Sequence, residues 1–378
     1  MIGRKYWMTA SRKALSIEDE LFQSVFSEFQ ARSREELETI FHRGEQGYRG
    51  ADADLSIPLG RGKSLWIFGD TLVGQRESLP LEMPRNSIGI LRTNRDGERA
   101  FQFYWNTQRG KAKAFFSDPR PGQWLWPGTM CLVDEKLYLF LRRFQTCNAI
   151  RSEAFRFRYV GPYELRVENP QDDPSDWEIQ PLRAPQMARS ILWHSGCIAA
   201  PDGFLYLWGG RRGARGNGTL MARCPLEDLK RPESIRWEYY SQASKGAGWS
   251  FQPRGLKPVF PGWASEMSLF YLKKQKVYVT VYGHHRENSI GIQLARSMAG
   301  PWTPYSPIYR PPDTKWSKHY FCYAPKGHPE LSPGGDELLI TYITNSHKVS
   351  DILHDRRIYY PRFISLPIKK EGGVKGGR

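Results

Sequence analysis

Cysteine is scarce in this chain: five in 378 residues, at positions 131, 147, 197, 224 and 322, an odd number with no CxxC pair. That argues against a disulfide framework and against a zinc site. Cys131 and Cys197 fall inside apolar strand-like runs and read as buried small hydrophobes. No stretch is long and apolar enough for a membrane span. The first residues, MIGRKYWMTASRKALS, are basic but lack the apolar h-region of a signal peptide. As written the chain shows no export signal, and the default expectation is a cytoplasmic protein. The formal charge of +16 invites an anionic partner. Yet there is no Lys/Arg-rich helix, no zinc-finger spacing and no RNA-binding aromatic signature. Much of the excess sits at the ends, at Arg4, Lys5, Arg12 and Lys13 and again at Lys369, Lys370, Lys375 and Arg378. Nucleic acid is therefore not an expected partner, while an acidic glycan or a cell surface stays open.

What is abundant is aromatic and turn-forming: 13 Trp, 19 Tyr, 19 Phe, 35 Gly and 27 Pro. This composition suits short strands, many turns and aromatic-lined surfaces. A polar lead-in gives way to helically spaced apolar residues, Leu21, Phe22, Val25, Phe26 and Phe29, and Ser33-Arg34-Glu35-Glu36 has the capping pattern of a second short helix. Residues 1–43 thus read as a partly helical N-terminal extension, and 368–378 as a basic disordered tail. Between them one grammar recurs five times: a short strand, a polar turn, then an aromatic or aliphatic strand. The segments are Asp54–Thr71, Gly128–Phe144, Ser195–Arg211, Glu266–Gly283 and His328–Asn345. After each of the first four comes a further extended run, and Ile358–Leu366 either completes the last unit or closes a ring. Four strands per repeat, five times over 44–367, predicts an all-β, five-bladed β-propeller. Helical periodicity is absent from these runs, which argues against a helical solenoid.

The first repeat singles out two carboxylates. Gly60-Arg61-Gly62 is a Gly-rich hairpin turn between two apolar runs, and a hairpin centred on Arg61 sets Asp52 opposite Asp70. Like charges directly opposite destabilise a sheet, so the pair either serves a function or consists of two separate turn caps. In a propeller the start of each inner strand and the end of the next open on one face. That face would gather Asp52, Asp54, Asp70, Trp126, Arg143, His194, Arg211, Glu266, His284, His285, His328, Glu330 and Asn345. Each has a structural alternative. Glu266 is a third catalytic candidate or a cap, and Trp126 a sugar-stacking platform or core between blades. Asn86 binds substrate hydroxyls or caps a turn, and His194 reaches the channel or is satisfied beside Trp193. His328 and Glu330 line the site or merely bond backbone in a Gly-His-Pro-Glu turn. Asp54 binds the channel backbone or a cation. His284 and His285 point to opposite faces if extended and make a poor metal pair, so no metal site is expected, a structural cation in the channel being left open.

The segments GADADLSIPL, LWIFGDT, RNSIGI, LWPGT, SEMSLFY, AGPW, GHPELS and YYPRF occur in this order. From about Phe41 to Leu366 the chain resembles a propeller family of formerly unknown function that includes bacterial endo-D-arabinanases, glycoside hydrolases that cut D-arabinan. The resemblance implies that the activity is carried by the aspartate of the leading Gly-x-Asp segment and that of Phe-Gly-Asp-Thr, here Asp52 and Asp70, and it leans towards an inverting outcome. It also implies a polysaccharide substrate and an exported protein, although no signal is visible; a monomer is expected. The leading segment is Gly-Ala-Asp-Ala here, where Gly-Gly-Asp-Gly is the more frequent form. Glycoside hydrolysis needs one carboxyl protonated and one ionised, which two adjacent aspartates supply because ionising one raises the pKa of the other. The expected roles are Asp70 as general base, Asp52 as general acid and Glu266 as tuner or alternative acid. A sialidase reading fails, because the Asp-box repeats and a three-arginine cluster are missing. A non-catalytic glycan- or protein-binding propeller remains the alternative.

Overall fold

The computed structural model describes residues 17–41, 45–74, 81–150, 155–182, 187–188, 190–211, 218–243, 246–284 and 287–370. Five antiparallel sheets stand in sequence order around a central channel. The first holds Leu55–Gly60, Lys63–Phe68, Ser87–Thr93 and Arg99–Tyr104; the second Gln123–Val133, Lys136–Thr146, Phe157–Val167 and Ile179–Pro181. The third runs from Leu192–Ala199 through Phe204–Gly210 and Gly218–Pro225 to Glu238–Ala243, with Gly246–Ser250 added outside. The fourth is Ser268–Leu272, Val277–His284, Ser289–Ala295 and Ser306–Tyr309. These are the blades of the expected five-bladed propeller.

The fifth blade departs from expectation twice. Its inner strand is Tyr320–Gly327, upstream of His328, and pairs with Glu337–Ser346. Pro329–Leu331, expected as strand, instead forms a 3-10 turn within the connection. Its outermost strand is Arg32–Ser33, which pairs with Ile364 and Ser365 of Pro361–Pro367. The segment before residue 44 is thus part of the ring, not an appendage. The helix Ile17–Val25 follows the same logic: Phe22, Val25 and Phe26 are buried with the aliphatic strands of blades four and five. Ile368 bridges Phe26, and the Lys369 amide donates to the Val25 carbonyl at 2.8 Å. The expected basic tail is therefore tied to the helix at its start; residues 371–378, like the polar lead-in 1–16, lie outside the described residues.

The apolar cores lie between blades, because each strand buries alternate side chains against the neighbouring sheet. Between blades five and one the centre is Phe41, fully buried, stacked on Phe363 at 5.8 Å and edge-on to Trp66 and Phe101 at 5.4 and 5.2 Å. Among the described residues, no helix is long and apolar enough to cross a membrane. Removing a buried phenylalanine costs about 3–5 kcal/mol. Phe41→Ala should therefore lower the urea midpoint as a true core deletion does, and a change within experimental error would refute the assignment of this segment to the ring.

Candidate active site

The first hairpin places the two carboxylates. Its ladder runs in one register from Pro58↔Ser64 to Leu55↔Ile67, stops, and resumes unchanged at Ala51↔Thr71 between Tyr48–Ala51 and Thr71–Val73. Asp52 and Asp70 lie opposite in the gap. The break is local: Ala53 and Asp54 adopt φ of 69° and 33°, and the Asp52 carbonyl accepts from the amides of both Asp54 and Gly69 at 2.9 Å. Left-handed backbone at non-glycine residues is costly, and it turns Asp54 down into the channel while Asp52 stays at the mouth. Gly69 must lack a Cβ, which would stand 2.2 Å from the Asp52 carboxylate.

The mouth is a cavity of about 940 Å³ whose lining includes Asp52, Asp70, Glu266, Arg85, Trp126 and Tyr323. The partners of the two aspartates differ in kind. Asp70 accepts from Arg85 Nη1 at 3.0 Å and from Trp126 Nε1 at 2.7 Å. Asp52 accepts from the Tyr323 hydroxyl, and the Tyr359 hydroxyl lies 3.1 Å from both its carboxylate and the Asp70 carbonyl. Asn345 Nδ2 in turn donates to the Tyr323 oxygen at 3.0 Å. Burial raises Asp52 well above the usual carboxylate range, and the charges of Asp70 and Glu266 add to this against the pull of the tyrosines. Burial raises Asp70 too, but the Arg85 guanidinium and the Trp126 indole oppose it. A cation beside one carboxylate and only phenols beside the other is how two aspartates acquire opposite protonation states.

Glu266 approaches from blade four, 3.4 Å from Lys326 Nζ. Lys326 is 1% exposed and also donates to the Ala324 carbonyl at 3.1 Å. Asp54 is fully buried below, pushed by burial to about 7 against the charge of Lys326 and the Thr341 hydroxyl.

A family model described as a domain of unknown function, DUF5005, matches residues 35–367. The chain belongs to the DUF5005 family. The expected resemblance to a propeller family of unknown function thus holds. No curated protein matches. Among solved structures the DUF5005 fold is similar to a candidate hydrolase from Bacteroides ovatus ATCC 8483, at TM-score 0.71 and 16% identity over 95% of this chain and 97% of that one; at this identity the likeness is one of fold. Looser matches include RS223-β-xylosidase, at TM-score 0.48 and 12% identity over 90% and 96% of the two chains. Another is an endo-arabinase from Bacteroides thetaiotaomicron VPI-5482, at 0.43 and 13% over 87% and 99%.

Of the residues expected at the mouth of this DUF5005 propeller, Asp52, Asp70, Glu266, Trp126 and Asn345 line the cavity. Trp126 serves as a hydrogen-bond donor to Asp70 as well as an aromatic wall. The others are elsewhere, each for a local reason. Arg143 pairs with the buried Asp118 carboxylate and covers the Tyr163 ring at 4.7 Å. Its neighbour Arg142, on the opposite strand face, reaches the cavity and donates to the carbonyls of Ser265 and Pro127 at 2.9 and 3.0 Å. Asn86 is fully buried and spends its amide on the Phe116 and Leu125 carbonyls and the Phe116 amide, so it staples a loop outside the cavity lining. His194 is buried between blades, Nδ1 3.1 Å from the Leu141 carbonyl and Nε2 3.3 Å from the Glu164 carboxylate. Arg211 is exposed and His284 sits 3.8 Å from Glu287, neither lining the cavity; His285 lies outside the described residues.

His328 and Glu330 follow the inner strand of blade five and so lie away from the mouth. The Ser56 hydroxyl donates to Glu330 and lies 2.6 Å from His328 Nδ1, while His328 Nε2 lies 2.6 Å from the Thr341 hydroxyl. With Ser56 donating to Glu330, the ring carries its proton on Nδ1 and accepts at Nε2. Burial holds His328 neutral, at about 3, and pushes Glu330 up to about 7. Sequence reading missed Arg85, Tyr323, Tyr359 and Lys326, although RNS and YYPRF flag the first and third.

Glu330 carries a pH signature. Its folded-state pKa lies above its ordinary 4.5, so the folded protein holds the proton more tightly. Stability is lost as pH rises from about 4.5 to about 7, by on the order of 3 kcal/mol. Glu330→Gln should gain on the parent by that order between pH 5 and pH 8 in urea midpoints. Parallel curves for the two proteins would rule the buried carboxyl out as the source.

Proposed function

We propose that the chain is a glycoside hydrolase that cleaves a pentofuranose-type, D-arabinan-like polysaccharide with inversion. The supporting observation is the unequal environment of Asp52 and Asp70. Asp70, paired with Arg85 and Trp126, is the carboxylate that ionises first. It takes a proton from a water as that water attacks the anomeric carbon. Asp52, surrounded by phenols and facing two negative charges, retains its proton and delivers it to the departing glycosidic oxygen. The glycosidic C–O bond breaks, a C–OH bond forms, and both carboxyls are reset by proton exchange with water. Glu266 adds the negative charge that keeps Asp52 protonated, and Lys326 anchors it. Inversion requires the working carboxyls to stand roughly 6.5–9.5 Å apart, against about 5–5.5 Å for retention. The resemblance favours the former, and product anomer measured by NMR decides it.

The test of function is reducing-sugar release from a polysaccharide panel that includes D-arabinan. Asp52→Asn and Asp70→Asn, near-isosteric and non-ionisable, should each lower turnover by two orders of magnitude or more. Undiminished turnover in both would reject the pair, and binding without cleavage by the parent would favour the alternative, a glycan-binding propeller.

The pH profile separates the roles. The acid limb reports Asp70 gaining its proton and the alkaline limb Asp52 losing one. Tyr359→Phe removes a donor that favours ionised Asp52, so Asp52 becomes harder to ionise and the alkaline limb should move to higher pH. A limb that stays put or moves down would show that Asp52 is not the acid.

A further inference from the structure

The wall of the cavity contains a continuous run of rings. Trp126 meets Phe157 edge-on at 4.6 Å, and Phe157 meets Phe155 at 6.3 Å. Phe155 lies 5.8 Å from His347, which packs on Phe321 at 4.6 Å, and Phe321 lies 5.5 Å from Tyr323. All six side chains line the cavity. The run starts on blade two and ends on blade five, the two blades that flank blade one in the ring. Its ends are tied to the two carboxylates, through Trp126 to Asp70 and through Tyr323 to Asp52. Behind it the short helix Val349–His354 contributes Val349, Ile352 and Leu353 to the same lining.

An arc with these attachments spans the blade-one side of the mouth directly beside the reacting groups. Opposite it, towards blades three and four, the lining is Leu192, Trp263, Ser265 and Glu266, and no ring run of this kind is formed there among the described residues. An open groove lets a polymer pass on both sides of the cleaved bond. A cleft walled on one side accepts only as many sugar units as fit between the carboxylates and the wall. Aromatic faces suit the apolar faces of sugar rings, and a cavity of about 940 Å³ holds only a short oligosaccharide.

We propose that this aromatic arc is a stop for the end of the glycan chain, so that the enzyme acts on chain termini and releases a short product of one size. The proposal rests on the glycoside hydrolase reading and adds its mode of action. Phe155 is the keystone, because among the described residues it alone joins the blade-two rings to the blade-five rings. At 39% exposure it can be removed without opening a core.

The experiment follows viscosity and reducing ends together while the parent protein degrades D-arabinan, or whichever polysaccharide of the panel it cleaves best. Removal from chain ends raises reducing ends while viscosity falls slowly, with one short product by chromatography. Phe155→Ala should melt like the parent, give a ladder of product sizes and lose at least several-fold more viscosity per bond cut. A steep viscosity loss with a ladder from the parent would overturn the chain-end proposal while leaving the hydrolase intact. So would a Phe155→Ala variant that keeps the single product. Failure of the parent to cleave any polysaccharide of the panel would overturn both the hydrolase reading and the proposal built on it.

Discussion

Asp52 and Asp70 face each other across one hairpin, buried, where a second negative charge is resisted both by low dielectric and by the first charge. The neighbours that oppose this come from three blades and differ in kind between the two aspartates. Arg85, from the loop leading into the third strand of blade one, and Trp126, from blade two, favour the charged form of Asp70 against its burial. Tyr323 and Tyr359, from blade five, offer Asp52 hydrogen bonds but no cation. The backbone between the two ladders is bent through left-handed residues to keep this pair at the mouth while Asp54 points inward. An unbroken hairpin would carry less backbone strain, and the break leaves both carboxylates lining the mouth.

Because the donors to Asp52 come from blade five, this arrangement exists only in the closed ring. Closure is made by few residues: the two-residue strand Arg32–Ser33, the helix that seats Phe22, Val25 and Phe26, and Phe41 between Trp66 and Phe363. Gly50 shows how tightly the seam is drawn. A Cβ there would stand 2.0 Å from the Tyr359 carbonyl oxygen. The backbone that carries the Tyr359 hydroxyl to Asp52 therefore leans directly on the strand that carries Asp52 itself. Packing at the closure and the geometry of the mouth are therefore one structural problem.

Five hairpins with polar turns were legible because period-two alternation and Gly-rich turns are local properties. The opposition of Asp52 and Asp70 was legible for the same reason, since register propagates from a turn. What failed was where local signals compete. The strand Tyr320–Gly327 carries a proline and a bulge, with Ala324 at φ 51° and the register shifting between Tyr323 and Lys326. The repeat was started at His328, one residue past the end of this strand, so Tyr323 and Lys326 went unnoticed. Arg143 was expected at the mouth, where its neighbour Arg142 stands instead, next to a register shift between Arg143 and Phe144. Asn86, His194 and Glu330 are polar groups of types often found in sites, and only three-dimensional packing reveals that all three side chains are buried away from the mouth, Asn86 and Glu330 with hydrogen bonds of their own. The short Arg32–Ser33 strand carries no periodicity at all and is defined solely by its partner.

The whole chain carries +16, and its mouth is mixed in sign: Asp52, Asp70 and Glu266 line it together with Arg85, Arg142 and Arg156, while Asp54 and Lys326 are buried nearby. Arg85 is engaged by Asp70 and also covers the Trp124 ring at 4.8 Å, and Lys326 is held by a carbonyl and Glu266. The basic surface can concentrate an acidic polymer near the protein by long-range attraction, which salt screens within about 10 Å at moderate ionic strength. In the proposed hydrolase, selection at the cleaved bond is a separate matter, set by short-range contacts with the carboxylates, phenols, guanidinium groups and aromatic faces that line the mouth.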